Sequence, residues 1–242
     1  MENICGQYKN PLVSIIIPRH KEDLTQVLEA INNSTYKNIE VIIVDEGFER
    51  SHQRNIGIVR ATGCYFCILD ADQVISPDLI RECVELMNCG IGGIYIPEII
   101  KTKGLFAYIR NWERQFYNGT SIDVVRFVRT KDCPLFDEKQ RGTEDSDWDR
   151  RIKGIKLISK NPLYHYDNVS MLKWFSKKAY YSKSMKRFIE RNPDDKILDW
   201  KWRCIKVFLE NGKWKRFLRR PDLALAVLIL IFVRGLIYLI KR

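Results

Sequence analysis

The sequence predicts an α/β protein built on a mainly parallel sheet, followed by a basic helical region. Three observations carry this. Short apolar runs of buried-strand length, Leu12–Ile17, Ile39–Val44 and Cys64–Leu69, alternate with segments of helical spacing. Each run gives way to polar residues. Charge is split along the chain: residues 150–242 hold 24 Lys/Arg against 7 Asp/Glu, whereas residues 1–149 hold 17 against 23. A basic half beside an acidic half points to a polyanionic partner, either nucleic acid or an anionic membrane surface.

The 242 residues suit one large α/β domain plus an appendage. The opening MENICGQYKN is polar and lacks an apolar h-region, so no secretory signal is expected. The first strand stops at Pro18. Asp23–Asn33 has helical spacing through Leu24, Val27, Leu28 and Ile31, and the second strand leads into Asp45-Glu46-Gly47. A helix over Ser51–Arg60 and a turn at Thr62-Gly63 precede the third strand, which ends in Asp70-Ala71-Asp72. Pro77–Met87 reads as a helix capped by Ser76, and Gly92–Ile96 as a further strand. Right-handed crossovers between such strands give a parallel sheet covered on both faces. Ligands bind outside the carboxyl ends of these strands, where Pro18-Arg19-His20, Asp45-Glu46-Gly47 and Asp70-Ala71-Asp72 fall together. No G-x-G-x-x-G follows the first strand and no G-x-x-x-x-G-K-[ST] occurs, so neither a dinucleotide fold nor a P-loop is supported. The seven cysteines are scattered, and Cys64-x-x-Cys67 lies inside an apolar run, which suggests buried reduced thiols and a reducing compartment.

Two carboxylates one residue apart repel unless a cation or hydrogen-bonding ligand lies between them. Hard divalent ions take such oxygen ligands and join them to substrate phosphates. An isolated D-x-D fits two solvated turn aspartates equally well. Glu144, Asp145, Asp147 and Asp149 likewise read, on their own, as the acidic first turn of a helix.

Order and spacing add more. SIIIP at the first strand, IEVIIVDEG at the second, RNIGIVRATGCYFCILDAD at the third, then LFDE, TEDSDWDRRIKG and LYHYD together resemble the family 2 glycosyltransferases. The match runs from Val13 to His165. It implies the GT-A fold, a Rossmann-like nucleotide-diphospho-sugar transferase architecture, and an inverting single displacement. It further implies that Pro18, Arg19 and His20 border the nucleotide base, with Glu22 near the ribose. Asp45 would meet the base edge and Arg54 would hold that loop. Asp70 and Ala71 would lie against the ribose, and Asp72 would bind a divalent metal, Mn²⁺ or Mg²⁺, bridging the diphosphate. Asp70 and His165 are further candidate metal ligands. Asp145 matches the general base, with Glu144, Trp148 and Arg151 in the acceptor or diphosphate region. The chemistry is consistent: a departing sugar diphosphate concentrates negative charge, and an acceptor hydroxyl needs a carboxylate to take its proton. His20, Lys21, Glu46 and Phe48 depart from the family pattern around base and ribose, which leaves UDP- and GDP-linked donors both open. The absence of Q-x-x-R-W argues against a processive synthase.

Gly104–Asn118 is aromatic at helical spacing and fits either an acceptor wall or ordinary core. Met171–Arg191 and Ile197–Leu209 are basic, Trp- and Phe-bearing amphipathic stretches, and Gly212–Arg220 is the most basic segment. Such helices lie at a headgroup boundary; a basic helical cap on the enzyme is the plainer alternative. Leu223–Ile240 is eighteen residues, apolar except for Arg234 and Gly235, and reads as a helix that crosses a bilayer or lies in its plane, crossing being slightly favoured. The expected organisation is a catalytic domain over 1–168, interfacial helices over 169–220 and a hydrophobic helix over 221–242. The expected enzyme sits at the cytoplasmic face of a membrane, with anionic lipids and no nucleic acid as partner. It passes one sugar from a nucleotide-sugar donor to a lipid-linked or amphipathic sugar acceptor, or alternatively to a polyprenyl phosphate. The rival from another class is a haloacid-dehalogenase-type phosphatase with Asp70 as nucleophile and Asp72 as acid/base. Against it, two strands with polar ends of their own precede the D-x-D.

Overall fold

The computed structural model describes residues 10–87, 90–101, 103–131, 133–166, 174–176 and 185–240. In chain order the first part holds β1 (Val13–Pro18), α1 (Thr25–Asn32), β2 (Ile39–Val44), α2 (Arg50–Arg60), β3 (Tyr65–Ile68), β4 (Gln73–Ile75), α3 (Leu79–Leu86), β5 (Ile91–Tyr95), β6 (Glu98–Ile100), α4 (Leu105–Arg114), β7 (Val125–Arg129), α5 (Glu144–Arg151), β8 (Ile155–Ile158) and β9 (Leu163–His165). Beyond it lie α6 (Met185–Arg191), a helical passage over 196–212, α7 (Trp214–Arg219) and α8 (Pro221–Ile240).

Six strands form the main sheet in the order β2-β1-β3-β7-β5-β8, and β4-β9-β6 form a small second sheet. β1 pairs in parallel with both β2 and β3, and β5 with β8; β7 runs antiparallel to its two neighbours. The fold is thus the mainly parallel α/β architecture the sequence predicts. Register sets the site. Ile17 faces Ile43 and Ile16 faces Ile68, and Arg19 N–H donates to the Val44 carbonyl at 2.9 Å. The polar residues after all three strands therefore emerge on one edge.

Strand alternation sends side chains to two cores. Ile15, Ile17, Cys67 and Leu69 pack with Val27 of α1 and Ile80 of α3. Ile16, Phe66 and Ile68 pack on the other face with Ile58 of α2 and Trp148 of α5. A third cluster joins Phe116 and Tyr117 to Phe188, Trp202, Phe208 and Val227. The aromatic stretch after α4 is core, and its partners come from the basic C-terminal region.

Two expectations are corrected. Ser76 does not cap α3: its hydroxyl donates to the Pro162 carbonyl at 2.8 Å, and the helix starts at Leu79 behind Asp78. Nor does Leu223–Ile240 qualify as a span: among the described residues no helix is long and apolar enough to cross a membrane. One face of α8 is already occupied. Leu223, Ala224, Val227 and Leu230 are buried, and Arg234 is ion-paired with the fully buried Glu113 of α4. Of the helix expected over Met171–Arg191, the structure describes 174–176 and α6; the rest lies outside the described residues.

Candidate active site

At the carboxyl edge of the sheet a cleft is lined by Pro18, His20, Glu22, Arg50, Gln53, Asp70, Ala71 and Asp72. The loop after β1 is held in shape by its own side chains. Glu22 accepts from the backbone N–H groups of His20 and Lys21 at 2.7 and 3.1 Å, while Arg19 Nε donates to the Glu22 carbonyl at 3.0 Å. Gln53, reaching from α2, donates to the carbonyls of Arg19 and Gly47 at 2.8 and 3.2 Å and so ties the first two strand ends together. Asp45 stays exposed, 3.8 Å from Arg19 Nε.

Arg54 is the hub. α2 packs closely on β1 because residue 57 is glycine: a Cβ there would lie 2.2 Å from Ile16 Cγ2. That approach buries the Arg54 side chain, 4% exposed, beneath the strand ends. Its guanidinium donates to Asp145 through Nη1 and lies 3.3 Å from Asp70 Oδ1 through Nη2, with the Phe136 ring 5.3 Å away. Burial alone would raise the Asp70 pKa, but Arg54, with Arg50 and Arg126, holds it well below the ordinary carboxylate range. Glu144, beside Asp145, shifts the other way: burial and the neighbouring carboxylate raise it. One arginine thus binds the D-x-D loop to the first turn of α5, ninety-one residues downstream.

The second aspartate has its own partners. Asp72 Oδ2 lies 3.0 Å from His165 Nε2, and His165 Nδ1 lies 2.7 Å from Glu98 Oε1. Burial would lower the imidazole pKa, but the hydrogen bonds to Asp72 and Glu98 raise it to about 10. Glu98 is braced by Arg126 at 3.2 Å and Arg114 at 3.6 Å. Gln73 completes the frame: its Oε1 accepts from the Asp70 N–H and from Arg126, each at 3.0 Å, and its Nε2 donates to Asp70 Oδ2 at 3.3 Å.

Of the residues expected here, Pro18, His20, Glu22, Asp70, Ala71 and Asp72 line one cleft; Arg54 bonds Asp70 and His165 bonds Asp72, while Asp145 joins them through Arg54. Trp148 and Arg151 are not among the residues lining the cleft and bond instead to the 134–136 loop ahead of α5. Trp148 is buried, stacks on Phe136 at 4.6 Å and donates to the Pro134 carbonyl at 2.6 Å. Arg151 joins Asp147 at 3.1 Å to the Leu135 carbonyl at 2.7 Å. Gln53, Asn55, Gln73, Glu98 and Arg126 went unsuspected in the sequence. Asn55 holds the loop ahead of α5 by two bonds to the Phe136 backbone, at 2.7 and 3.0 Å; its place next to Arg54 was the one available signal.

Among the described residues no three His, Cys, Asp or Glu side chains are placed to hold a metal ion by themselves. The donors still suit a hard divalent cation. Asp72, 46% exposed, and the ionised Asp70 offer carboxylate oxygens to a cleft open to solvent. A substrate diphosphate would complete that oxygen set.

A family model described as Glycosyl transferase family 2 matches residues 46–180, more than half of the chain. The chain belongs to that family. Membership of a glycosyltransferase family argues against the phosphatase reading. A protein of Haemophilus influenzae described as an uncharacterized glycosyltransferase is 29% identical over 106 residues, 32% of this chain and 42% of the relative. The chain thus spans about two fifths of that relative's length. Among solved structures, the mannosyltransferase PcManGT of Pyrobaculum calidifontis, in complex with GDP-Man and Mn²⁺, superimposes with a TM-score of 0.59 at 15% identity. The alignment covers 79% of this chain and 66% of that one, and shows that the two share the GT-A fold. S. aureus TarS 1-349 aligns at a TM-score of 0.49 and 13% identity, over 84% of this chain and 77% of its own.

Proposed function

We propose that this glycosyltransferase moves one sugar from a UDP- or GDP-linked donor to a hydroxyl on a lipid-linked acceptor, inverting the anomeric carbon, at the cytoplasmic face of a membrane. The observation that carries the reading is the convergence of Asp70, Asp72, Arg54 and Asp145 at one strand edge. The β1 loop and Asp45 border the base, and Asp70 and Ala71 the ribose. Asp72, with Asp70 beside it, would hold a divalent cation, Mn²⁺ or Mg²⁺, which would supply positive charge against the leaving diphosphate. PcManGT, with its GDP-Man and Mn²⁺, lends support to that cofactor and donor class.

Asp145 takes the proton of the acceptor hydroxyl. Its side chain is 43% exposed, so an acceptor can reach it, while Arg54 fixes its direction. The acceptor oxygen attacks the anomeric carbon opposite the diphosphate, the C–O bond to the diphosphate breaks, and the proton passes to Asp145. Arg54, shared between Asp145 and Asp70, sets the distance between base and donor. His165, with its ring nitrogens bonded to Asp72 and Glu98 and its pKa raised, steers the Asp72 carboxylate and sets positive charge beside the diphosphate instead of ligating the cation. The basic C-terminal half and its exposed apolar side chains support the lipid setting.

The test is Asp72→Ala. It should abolish sugar transfer and remove the Mn²⁺-dependent thermal stabilisation by UDP- or GDP-sugars, since a ligand specific to the folded state raises its stability. Unchanged transfer in that variant would overturn the proposal.

A further inference from the structure

The outer face of α8 carries Leu225, Leu228, Ile229, Phe232 and Leu236, exposed by 62, 53, 54, 66 and 42%. Their spacing of three, one, three and four residues makes a single stripe down one side of the helix. The opposite side is packed on protein: Val227 belongs to the third core cluster, and Arg234 pairs with Glu113, which lies wholly inside. Arg234 also stands 5.4 Å from the Trp174 ring. A helix that crossed a bilayer would have to leave this seat, stripping Val227 and stranding the Glu113 carboxylate without its arginine. α7, immediately before it, exposes Trp214 and Leu218 on the turns that also carry Lys215 and Arg219, all open to solvent.

We infer that α8 lies flat against an anionic bilayer as an in-plane docking plate, pinned to α4 by Arg234–Glu113, with its outer stripe in the acyl boundary. Lys215 and Arg219 meet the lipid phosphates. The occupant follows from charge: an apolar stripe bordered by lysine and arginine, in a region holding 24 Lys/Arg against 7 Asp/Glu, complements a negatively charged lipid surface. The inference rests on the membrane reading above and adds the orientation of the helix. The pinning matters for the site, because Glu113 adjoins Arg114, which braces Glu98 behind His165.

The experiment uses the whole chain with vesicles of phosphatidylcholine, alone or mixed with phosphatidylglycerol. Flotation measures binding, and a fluorescent amino acid in place of Leu225 or of Leu236, quenched by lipids brominated at known depths, measures geometry. The protein should float with the anionic vesicles, and positions 225 and 236 should sit at equal depth within a few ångströms. A helix along the bilayer normal would separate them by about 16 Å. Leu228→Gln/Phe232→Gln should lower partition at least about tenfold while the thermal midpoint stays unchanged. If that pair fails to fold, Leu225→Gln/Leu236→Gln reads the same stripe. Flotation with the two depths well apart overturns the in-plane geometry and leaves membrane attachment standing. No flotation overturns both, and a dimer that the same double variant dissociates would make the stripe a self-association face. Flotation indifferent to the stripe variants also refutes the inference.

Discussion

Arg54 links Asp145 to the D-x-D loop, so single substitutions there separate positioning from the chemistry proposed for the two. Arg54→Met leaves Asp70 buried without its main counter-charge and frees Asp145. It should destabilise the fold by roughly 3 kcal/mol, the low end for a broken buried pair because Asp145 can rehydrate. Differential scanning calorimetry would show it, and an unchanged midpoint would mean that the guanidinium is not holding the two carboxylates. Asp145→Asn keeps shape and removes proton acceptance. It should cut turnover by about 10²–10⁴-fold while donor binding, followed by calorimetric titration, stays intact; retained turnover would instead point to a phosphate acceptor, which needs little deprotonation. That Asp70, Asp72, Arg54, Asp145 and His165 come together was legible because their types and order follow a family pattern. Glu98 was not, since its meaning lies in His165, sixty-seven residues away. Gln73 looked like a turn residue until Arg126 and the Asp70 backbone were seen to converge on its amide oxygen.

At the scale of elements, the contact of α8 with α4 carries a pH signature. Burial would raise the Glu113 pKa, but Arg234 and Arg110 hold it at about 2, against an ordinary 4.5. A carboxylate with a depressed folded pKa stabilises fully above its unfolded value and loses that contribution as pH falls through the folded one. The α4–α8 contact should therefore weaken between about pH 4.5 and pH 2, by an amount on the order of 3 kcal/mol. Comparing acid unfolding of the wild type with Glu113→Gln checks this: the variant should start less stable and show a flatter pH dependence through that window. Parallel curves would place the acid sensitivity elsewhere. The pairing also explains why α8 was misjudged from sequence. Arg234 in an apolar run reads as a cost within lipid, whereas its partner stands 121 positions earlier on another helix. The start of α3 was missed for a related reason, since the Ser76 hydroxyl serves a distant carbonyl and not its own helix.

For the molecule as a whole, two incomplete surfaces find each other. The aromatic stretch after α4 and the basic C-terminal region each have an apolar face too large to leave in water, and Phe116, Tyr117, Phe208 and Val227 bury both in one cluster. Sequence periodicity revealed each face but could not pair them, because period fixes which side of a helix is apolar and says nothing about what covers it. What remains outside is the charge. With 24 Lys/Arg against 7 Asp/Glu in one part and 17 against 23 in the other, the chain is electrically lopsided, and an anionic surface should draw its basic helices toward itself. Each exposed lysine or arginine near such a surface contributes about 1 kcal/mol, so Lys215→Glu/Arg219→Glu should cost at least about 2 kcal/mol, roughly thirtyfold in partition. Salt should act on the same term: raising it from about 0.1 to about 1 M shortens the screening length from about 10 to about 3 Å and should erase most of the difference between wild type and variant. Binding that survives high salt measures the apolar stripe alone. Vesicle sedimentation across that salt series decides the matter, and a charge-reversed variant that binds as well as wild type at low salt would show that the basic half faces away from the membrane.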